Sequence, residues 1–407
     1  MTAPTALSGV RVLDLSRILA GPWATQILAD MGAEVIKVEK PDVGDDTRGW
    51  GPPFLPANEG RGDAAYFLAA NRNKRSVTID FTKPEGAALI AGLIPDCQIM
   101  VENFKTGGLA KYGLDYASVA RINPSIVYCS ITGFGQDGPY SSRAGYDYLV
   151  QAMGGLMSIT GQPDGAPGAE PLKVGVAVAD LFSGMYAVTG MLAALRHAER
   201  TGEGQHVDIA LLDCQTAMLA NQAMNYFVSG AAPTRLGNAH PNIAPYQVFK
   251  TADGHIVLAV GNDGQFRSFC VEAGIAACAT DARFATNPAR IANRAALIEI
   301  IEASMRKRTT AQWIATLEQT GVPCGPINTI DQVFDDPQVR ARAMTHQMTR
   351  TDGTDVTLVA SPLKLSRTPA VADRAPPALG ADTDAVLRDL AKLSTADIAE
   401  LRRRQIV

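Results

Sequence analysis

Along the first 130 positions the apolar residues switch between a period of two and a period near 3.6. Residues 10–15 alternate like a strand, Ala20-Gly-Pro22 interrupts them, residues 23–31 follow helical spacing, and 33–38 return to strand. A strand, helix, strand series of this kind predicts parallel pairing with a right-handed crossover. It continues with strands at 75–80, 96–101 and 125–131 and helices at 84–93 and 109–122, Pro84 standing in a first turn. The fold class predicted is α/β, an open Rossmann-like parallel sheet covered on both faces, with ligands at the carboxyl ends of its strands.

From Leu181 the apolar residues Met185, Val188, Leu192 and Leu195 fall on one helical face. A strand at 206–211 and a helix at 214–228 follow. The pattern then changes to strands at 246–251 and 255–260 about Ala252-Asp-Gly254, with helices at 264–273, 293–306 and 310–320. That is a smaller α+β domain. The tail carries a stretch at 331–343, a β-like stretch at 356–359, Pro-rich 374–380 and a final helix near 384–393. The expected organisation is a large domain over 1–224, a small one over 225–330, and a segment 331–407 returning to the large domain.

Composition narrows the function. With 407 residues, 46% hydrophobic and 19% charged, the chain reads as an ordinary soluble protein of two domains. A net charge of −4 gives no general attraction to nucleic acid or anionic membrane, so neither is an expected partner, and a phosphate-bearing ligand needs a local basic cluster. Six scattered cysteines without C-x-x-C spacing, and no basic, apolar leader in residues 1–5, predict reduced thiols and a cytoplasmic protein. No run approaches 18 uninterrupted apolar residues, and no acidic cluster suggests a metal.

Gly133-Phe-Gly-Gln-Asp-Gly138 spells the dinucleotide pattern, but Pro139-Tyr-Ser-Ser-Arg143 follows it where a helix should start, at the fifth strand and not the first. A glycine-rich turn, without NAD, is the better reading. No G-x-S-x-G is present, Cys214 reads as a buried thiol, and His240 stands in a turn-rich stretch as a loop imidazole or a site wall. Arg72-Asn-Lys74-Arg75, and Asn103-Phe104 with Lys111, supply cations and donors at one end of the sheet.

The stretch Lys173-Val-Gly-Val-Ala-Val-Ala-Asp180-Leu-Phe-Ser-Gly184 puts Asp180 where an extended segment becomes a helix. It is either an N-cap or a positioned carboxylate nucleophile, with Ser183 and Gly184 small enough to admit a ligand. The text around it resembles the family III CoA-transferases: Asp180, Ser183-Gly184, Leu192-Ala-Ala-Leu195, Arg200-Thr-Gly-Glu-Gly-Gln205 and 206–211. The resemblance implies that Asp180 is the covalent nucleophile and that coenzyme A, as an acyl-CoA, is a substrate. It further implies that Arg72, in 68–76, belongs to a segment lining the CoA site, that Leu19 and Ala20 face the nucleotide, and that Lys40 lies near the phosphates. Ile79, Asn103, Phe104, Lys111 and Arg143 would contact the cofactor, with Leu211 near its reactive end. Lys40 and Lys111 stand where relatives carry Arg, losing bidentate geometry.

An α-methylacyl-CoA racemase looks similar, but Ala144-Gly-Tyr-Asp147 has Tyr146 in the place of that family's histidine, and a phenol is a poor proton-transfer group at neutral pH. A binding-only acyl-CoA protein would not need Asp180. Segments 133–147, 240–246 and 261–266 look most like the succinate–hydroxymethylglutarate branch, and the glycine run of formyl-CoA transferases is missing. The expected substrates are small carboxylic acids, C4 to C6 dicarboxylates, with succinyl-CoA as donor and Arg17 or Arg48 as the cation for the distal carboxylate. The family's interlocked homodimer is the expected assembly.

Overall fold

The computed structural model of the chain describes residues 5–56 and 62–407. Residues 1–4, where the absence of a leader was read, lie outside them.

The large unit is built on a sheet of six parallel strands in the order β3-β2-β1-β4-β5-β6. In chain order the elements through residue 229 are β1 Arg11–Asp14, α1 Ala20–Asp30, β2 Glu34–Glu39, α2 Ala65–Leu68, β3 Lys74–Thr78, α3 Pro84–Leu93, β4 Ile99–Glu102, α4 Tyr116–Ile122, β5 Val127–Thr132, α5 Asp147–Met153, the short α6 Leu156–Ile159, α7 Val178–Thr201, β6 Gln205–Ala210, α8 Leu211–Met218 and α9 Ala220–Ser229, all of the large unit except α6 beyond Leu156 and α9 beyond Met224. Period-two alternation splits β1 between two cores. Val12 joins a cluster with α1 and α7, while Leu13 packs with α3, α4 and the C-terminal helices on the other face.

Ala20-Gly-Pro22 opens α1 instead of interrupting it, because Pro is tolerated in a first turn. Gly21 is required there, since a Cβ on it would lie 2.3 Å from the Ser16 side chain. By length and composition α7 could cross a membrane, but Ala187, Val188, Met191 and Leu195 are buried in the core beside α1. It serves as a core helix of the sheet.

The small unit holds an antiparallel sheet of β7 Tyr246–Lys250, β8 His255–Ala259 and β9 Cys324–Pro326, with α10 Asp263–Glu272, α11 Asn287–Ala292, α12 Arg294–Met305, α13 Thr310–Gln319 and α14 Ile330–Asp335. Residues 157–172 and 225–336 form this unit, so 157–172 and 331–336 go with it and not with the segments expected. The stretch 331–343 is two helices, α14 and α15 Pro337–Ala341, because Pro337 cannot continue the first.

The tail then joins the large unit with β10 Thr345–Thr349, β11 Asp355–Val359, α16 Thr383–Asp389 and α17 Thr395–Arg403. Val386, Leu387, Ile398, Ile406 and Val407 are buried against the second sheet face, and Asp80 N–H donates to Ile406 O.

Beneath the strand ends lies a run of buried ion pairs: Lys74 with Asp14 at 3.2 Å, Lys37 with Asp45 at 2.8 Å, and Arg48 with Glu39 at 2.7 Å. Arg48 also reaches Asp63 and Pro377 O and lies 3.7 Å over the Phe67 ring. Arg48→Ala strands Glu39 without its cation and should cost on the order of 3–5 kcal/mol. A melting temperature within a degree of wild type would show that the cluster does not hold tail and sheet together.

Candidate functional site

The strand order reverses between β2 and β4 on either side of β1, which opens a crevice at the carboxyl ends of β1 and β4. Two clefts occupy that region. One, ≈330 Å³, is lined by Arg17, Leu19, Ala20, Asn103, Phe104, Gly133, Arg143, Gly145, Tyr146, Asp180 and Leu211. Its neighbour, ≈390 Å³, is lined by Lys37, Lys40, Asp45, Ile79 and Phe81 and shares Arg17 and Phe104 with the first.

The shared wall is fixed by short-range bonds. Asn103 Oδ1 accepts from Arg17 N–H at 2.8 Å and its Nδ2 donates to Arg17 O at 2.7 Å. Ile18 sits at φ 70, a region a β-branched residue adopts at a cost, and both Asp45 carboxylate oxygens accept its N–H at 3.3 Å. Burial pushes the Asp45 carboxyl up, but the Lys37 ammonium and the Thr47 hydrogen bonds together hold it at about 2, so this anchor stays ionised. Across the cleft, the Gly133 and Gly145 backbones cross so closely that a Cβ on either would meet the other's Cα at 2.5 Å or less.

Asp180 is the third residue of α7, not its N-cap. The cap position is Ala177, and no cap side chain bonds there. The helix N-terminus is served from α5 instead: Asp147 Oδ1 accepts from Ala179 N–H at 2.8 Å and from Asp180 N–H at 3.3 Å. Asp147 Oδ2 accepts from Gln151 Nε2 at 2.7 Å, and Gln151 Oε1 accepts from Val174 N–H at 2.9 Å. Two side chains one helical turn apart thus pin both sides of the approach to Asp180. Burial first, and the Asp147 charge second, push the Asp180 carboxyl up to about 7. The helix end alone favours the carboxylate, but here its free N–H groups are already taken. Tyr66 on α2 feels both carboxylates, and its phenol is raised by burial and then by Asp180 and Asp147.

Sequence reasoning missed the Asp147–Gln151 clamp and Tyr66. Asp147 and Gln151 at a four-residue spacing were the available sign of a clamp; nothing in the sequence pointed to Tyr66.

Several expected residues lie elsewhere. Arg72 is buried against Asp30, with Nη1 donating to Val359 O, and does not line either cleft. Arg48 is committed to Glu39 and Asp63, which removes it as a substrate cation. Lys111 is exposed, 4.8 Å over Tyr112, and lines neither cleft. Leu19 and Ala20 share the cleft of Asp180 instead of the one with Lys40. Ser183 and Gly184 are buried, and a Cβ on Gly184 would meet Ala20 O at 2.8 Å, so their size serves helix packing. His240 is in the small unit, where its Nδ1 accepts from Asn242 N–H at 3.0 Å. Tyr146 lines the Asp180 cleft, which has no histidine among the described residues.

The family model "CoA-transferase family III" matches residues 7–383. The chain is 54% identical over 385 residues to a succinate–glutarate CoA-transferase of Agrobacterium fabrum, covering 94% of this chain and 95% of the relative. It is 40% identical to the human succinyl-CoA:glutarate CoA-transferase, covering 98% of this chain and 90% of that one. A crystal structure of a CAIB/BAIF family protein from Brucella suis superposes with a TM-score of 0.83 at 50% identity, covering 95% of this chain and all of that one.

A carboxyl raised from its ordinary 3.8 to about 7 stabilises the folded chain below pH ~4, and that stabilisation is lost as pH rises through 7. Asp180→Asn should therefore melt higher than wild type at pH 8, by ~2 °C or more, with the gap closing toward pH 5. Asp147→Asn keeps the acceptor for the helix N–H groups but removes the charge, so the Asp180 titration, followed by carbon NMR, should move down while staying above 3.8. An unmoved midpoint would leave burial as its sole cause.

Proposed function

Because this chain belongs to CoA-transferase family III, we propose that it moves CoA from succinyl-CoA to a short dicarboxylic acid, with glutarate the first acceptor to test. The observation that carries the reading is a partly buried carboxyl, Asp180, held by a clamp at the wall of a cleft that shares Arg17 and Phe104 with a cation-lined neighbour. The names of the similar proteins support the choice of acids.

In its ionised form Asp180 attacks the thioester carbonyl of the acyl-CoA. The C–S bond breaks, CoA leaves as thiolate, and an acyl-aspartyl anhydride forms. The thiolate attacks the aspartyl carbonyl, expelling the first acid as carboxylate and leaving an aspartyl-CoA thioester. The acceptor carboxylate attacks that thioester and releases thiolate again. The thiolate then takes the acceptor's acyl carbon, and the Asp180 carboxylate is regenerated with no net proton change.

A carboxylate is a weak nucleophile toward a thioester, so positioning carries much of the rate. Effective molarities of ~10⁵ M correspond to roughly 7 kcal/mol. The Asp147–Gln151 clamp provides such positioning, and a pKa near 7 makes Asp180 more basic, hence a better nucleophile once ionised, than an ordinary aspartate. Arg17, with its guanidinium 2.9 Å from Asp46 and half exposed, is the cation we assign to the distal carboxylate.

The exposed apolar side chains of α5 and α7, among them Tyr148, Leu149, Phe182, Met185 and Tyr186, support assembly into the interlocked homodimer. The unbridged cysteines are in keeping with a cytoplasmic setting.

Incubation with succinyl-CoA and glutarate should give glutaryl-CoA and succinate by chromatography, with rates rising up to pH ~7 and levelling above it. Transfer to monocarboxylates as fast as to C4–C6 dicarboxylates would remove the distal-cation assignment. Arg17→Ala should raise KM for glutarate about 10-fold and leave that for a monocarboxylate within about twofold. Light scattering should give the mass of two chains, and a monomer would remove the dimer.

A further inference from the structure

Among the described residues, each buried carboxyl of the large unit except one meets a cation: Asp14 has Lys74, Asp30 has Arg72, Glu39 has Arg48 and Asp45 has Lys37. Glu102, the last residue of β4, is only 6% exposed and has none. An unpaired buried carboxyl is costly to keep, so its surroundings bear on what it does.

Glu102 Oε2 accepts from Phe104 N–H at 2.7 Å. On β5 its register partner is Ser130, whose hydroxyl lies 2.9 Å from His206 Nε2 on β6 and whose nearness works against the rise in the Glu102 pKa. The other titratable groups around it are Tyr128 and Cys129 on β5 and Asp208 on β6, and Asp208 accepts Gln136 N–H of the glycine turn at 3.0 Å. No cation faces it from these strands. The bond the carboxylate accepts is that of Phe104 N–H, while Ser130 Oγ and His206 Nε2 bond each other on the neighbouring strands. Phe104 stands in the wall between the two clefts, and Asn103 beside it holds Arg17 by two bonds.

We propose that Glu102 is a positioning residue for CoA recognition: by accepting the Phe104 N–H, its carboxylate fixes the 103–104 turn that forms the wall shared by both clefts. This rests on the CoA-transfer reading. Glu102 touches no reacting atom; it acts through Phe104 and Asn103. Burial first, and Asp208 last, push its carboxyl up to about 7, so near neutral pH it passes between a charged acceptor and a weaker neutral one.

The test is binding of free CoA by calorimetry, alongside kcat and KM for succinyl-CoA, for the wild-type chain, Glu102→Ala and Glu102→Gln at pH 6, 7 and 8. The alanine variant should bind CoA about 10-fold more weakly and show a KM about 10-fold higher, with kcat within about twofold. The glutamine variant keeps an acceptor for Phe104 N–H and should recover most of the affinity at pH 6. Its deficit relative to wild type should widen toward pH 8, where only wild type offers a carboxylate. Alanine binding CoA as tightly as wild type, or a glutamine-to-wild-type ratio constant across pH, overturns the proposal. If the alanine variant does not fold, the glutamine ratio decides. Wild-type protein that fails to bind CoA would bring down the CoA-transfer reading and this proposal together, whereas wild-type binding with unaltered variants brings down the proposal alone.

Discussion

The carboxylate of Asp147 at the start of α7 is the contact on which the site depends. It satisfies the N–H groups of Ala179 and Asp180, fixes where α7 begins, and places a negative charge beside a second carboxyl in a partly buried setting. One interaction therefore fixes the position of Asp180 and, after burial, adds to its basicity. The same oxygen that stabilises the helix end raises the pKa of its neighbour. That is a local conflict of the sort expected at functional sites. Gln151, fully buried, extends the clamp to Val174 and so fixes the segment that leads into the helix.

The sheet supplies the frame for this contact. Reversal of strand order about β1 leaves the 17–20 and 103–106 turns side by side, and the buried ion pairs keep them there. Lys37 holds Asp45, Asp45 holds Ile18 in its left-handed conformation, and Asn103 bonds the backbone of Arg17 at two points. These charges are taken out of water at a cost, and each is matched in geometry. The chain's cations thus divide between two tasks. Arg48 and Arg72 are structural, while Arg17, Lys40 and Arg143 remain at cleft walls.

Much of this was legible in the sequence, and what was not has a common cause. Periodicity located the parallel strands because the alternating residues of β1 feed two cores, and it placed Asp180 at the junction of extended chain and helix, where the structure has it as the third residue of α7. The partner of a charge is set by tertiary contact, so the sequence gives no sign that Arg72 lies against Asp30, 42 positions away, or Arg48 against Glu39 and Pro377. The Asp147 contact spans 33 positions to Asp180 and was hidden for the same reason. Gly184 read as room for a ligand because a small residue looks the same whether a substrate or the backbone of α1 fills the space. Segment 157–172 lies between two stretches of the large unit, and only long-range pairing, such as Gly237 N–H to Gly161 O, assigns it to the small one.

The central claim is that Asp180 becomes covalently attached to CoA. Its most direct test is to mix the protein with succinyl-CoA, quench with hydroxylamine, and map the modified peptide by mass spectrometry. The account predicts a hydroxamate on Asp180 that is missing from the Asp180→Asn variant. CoA exchange that proceeds at full rate while Asp180 stays unmodified would contradict it.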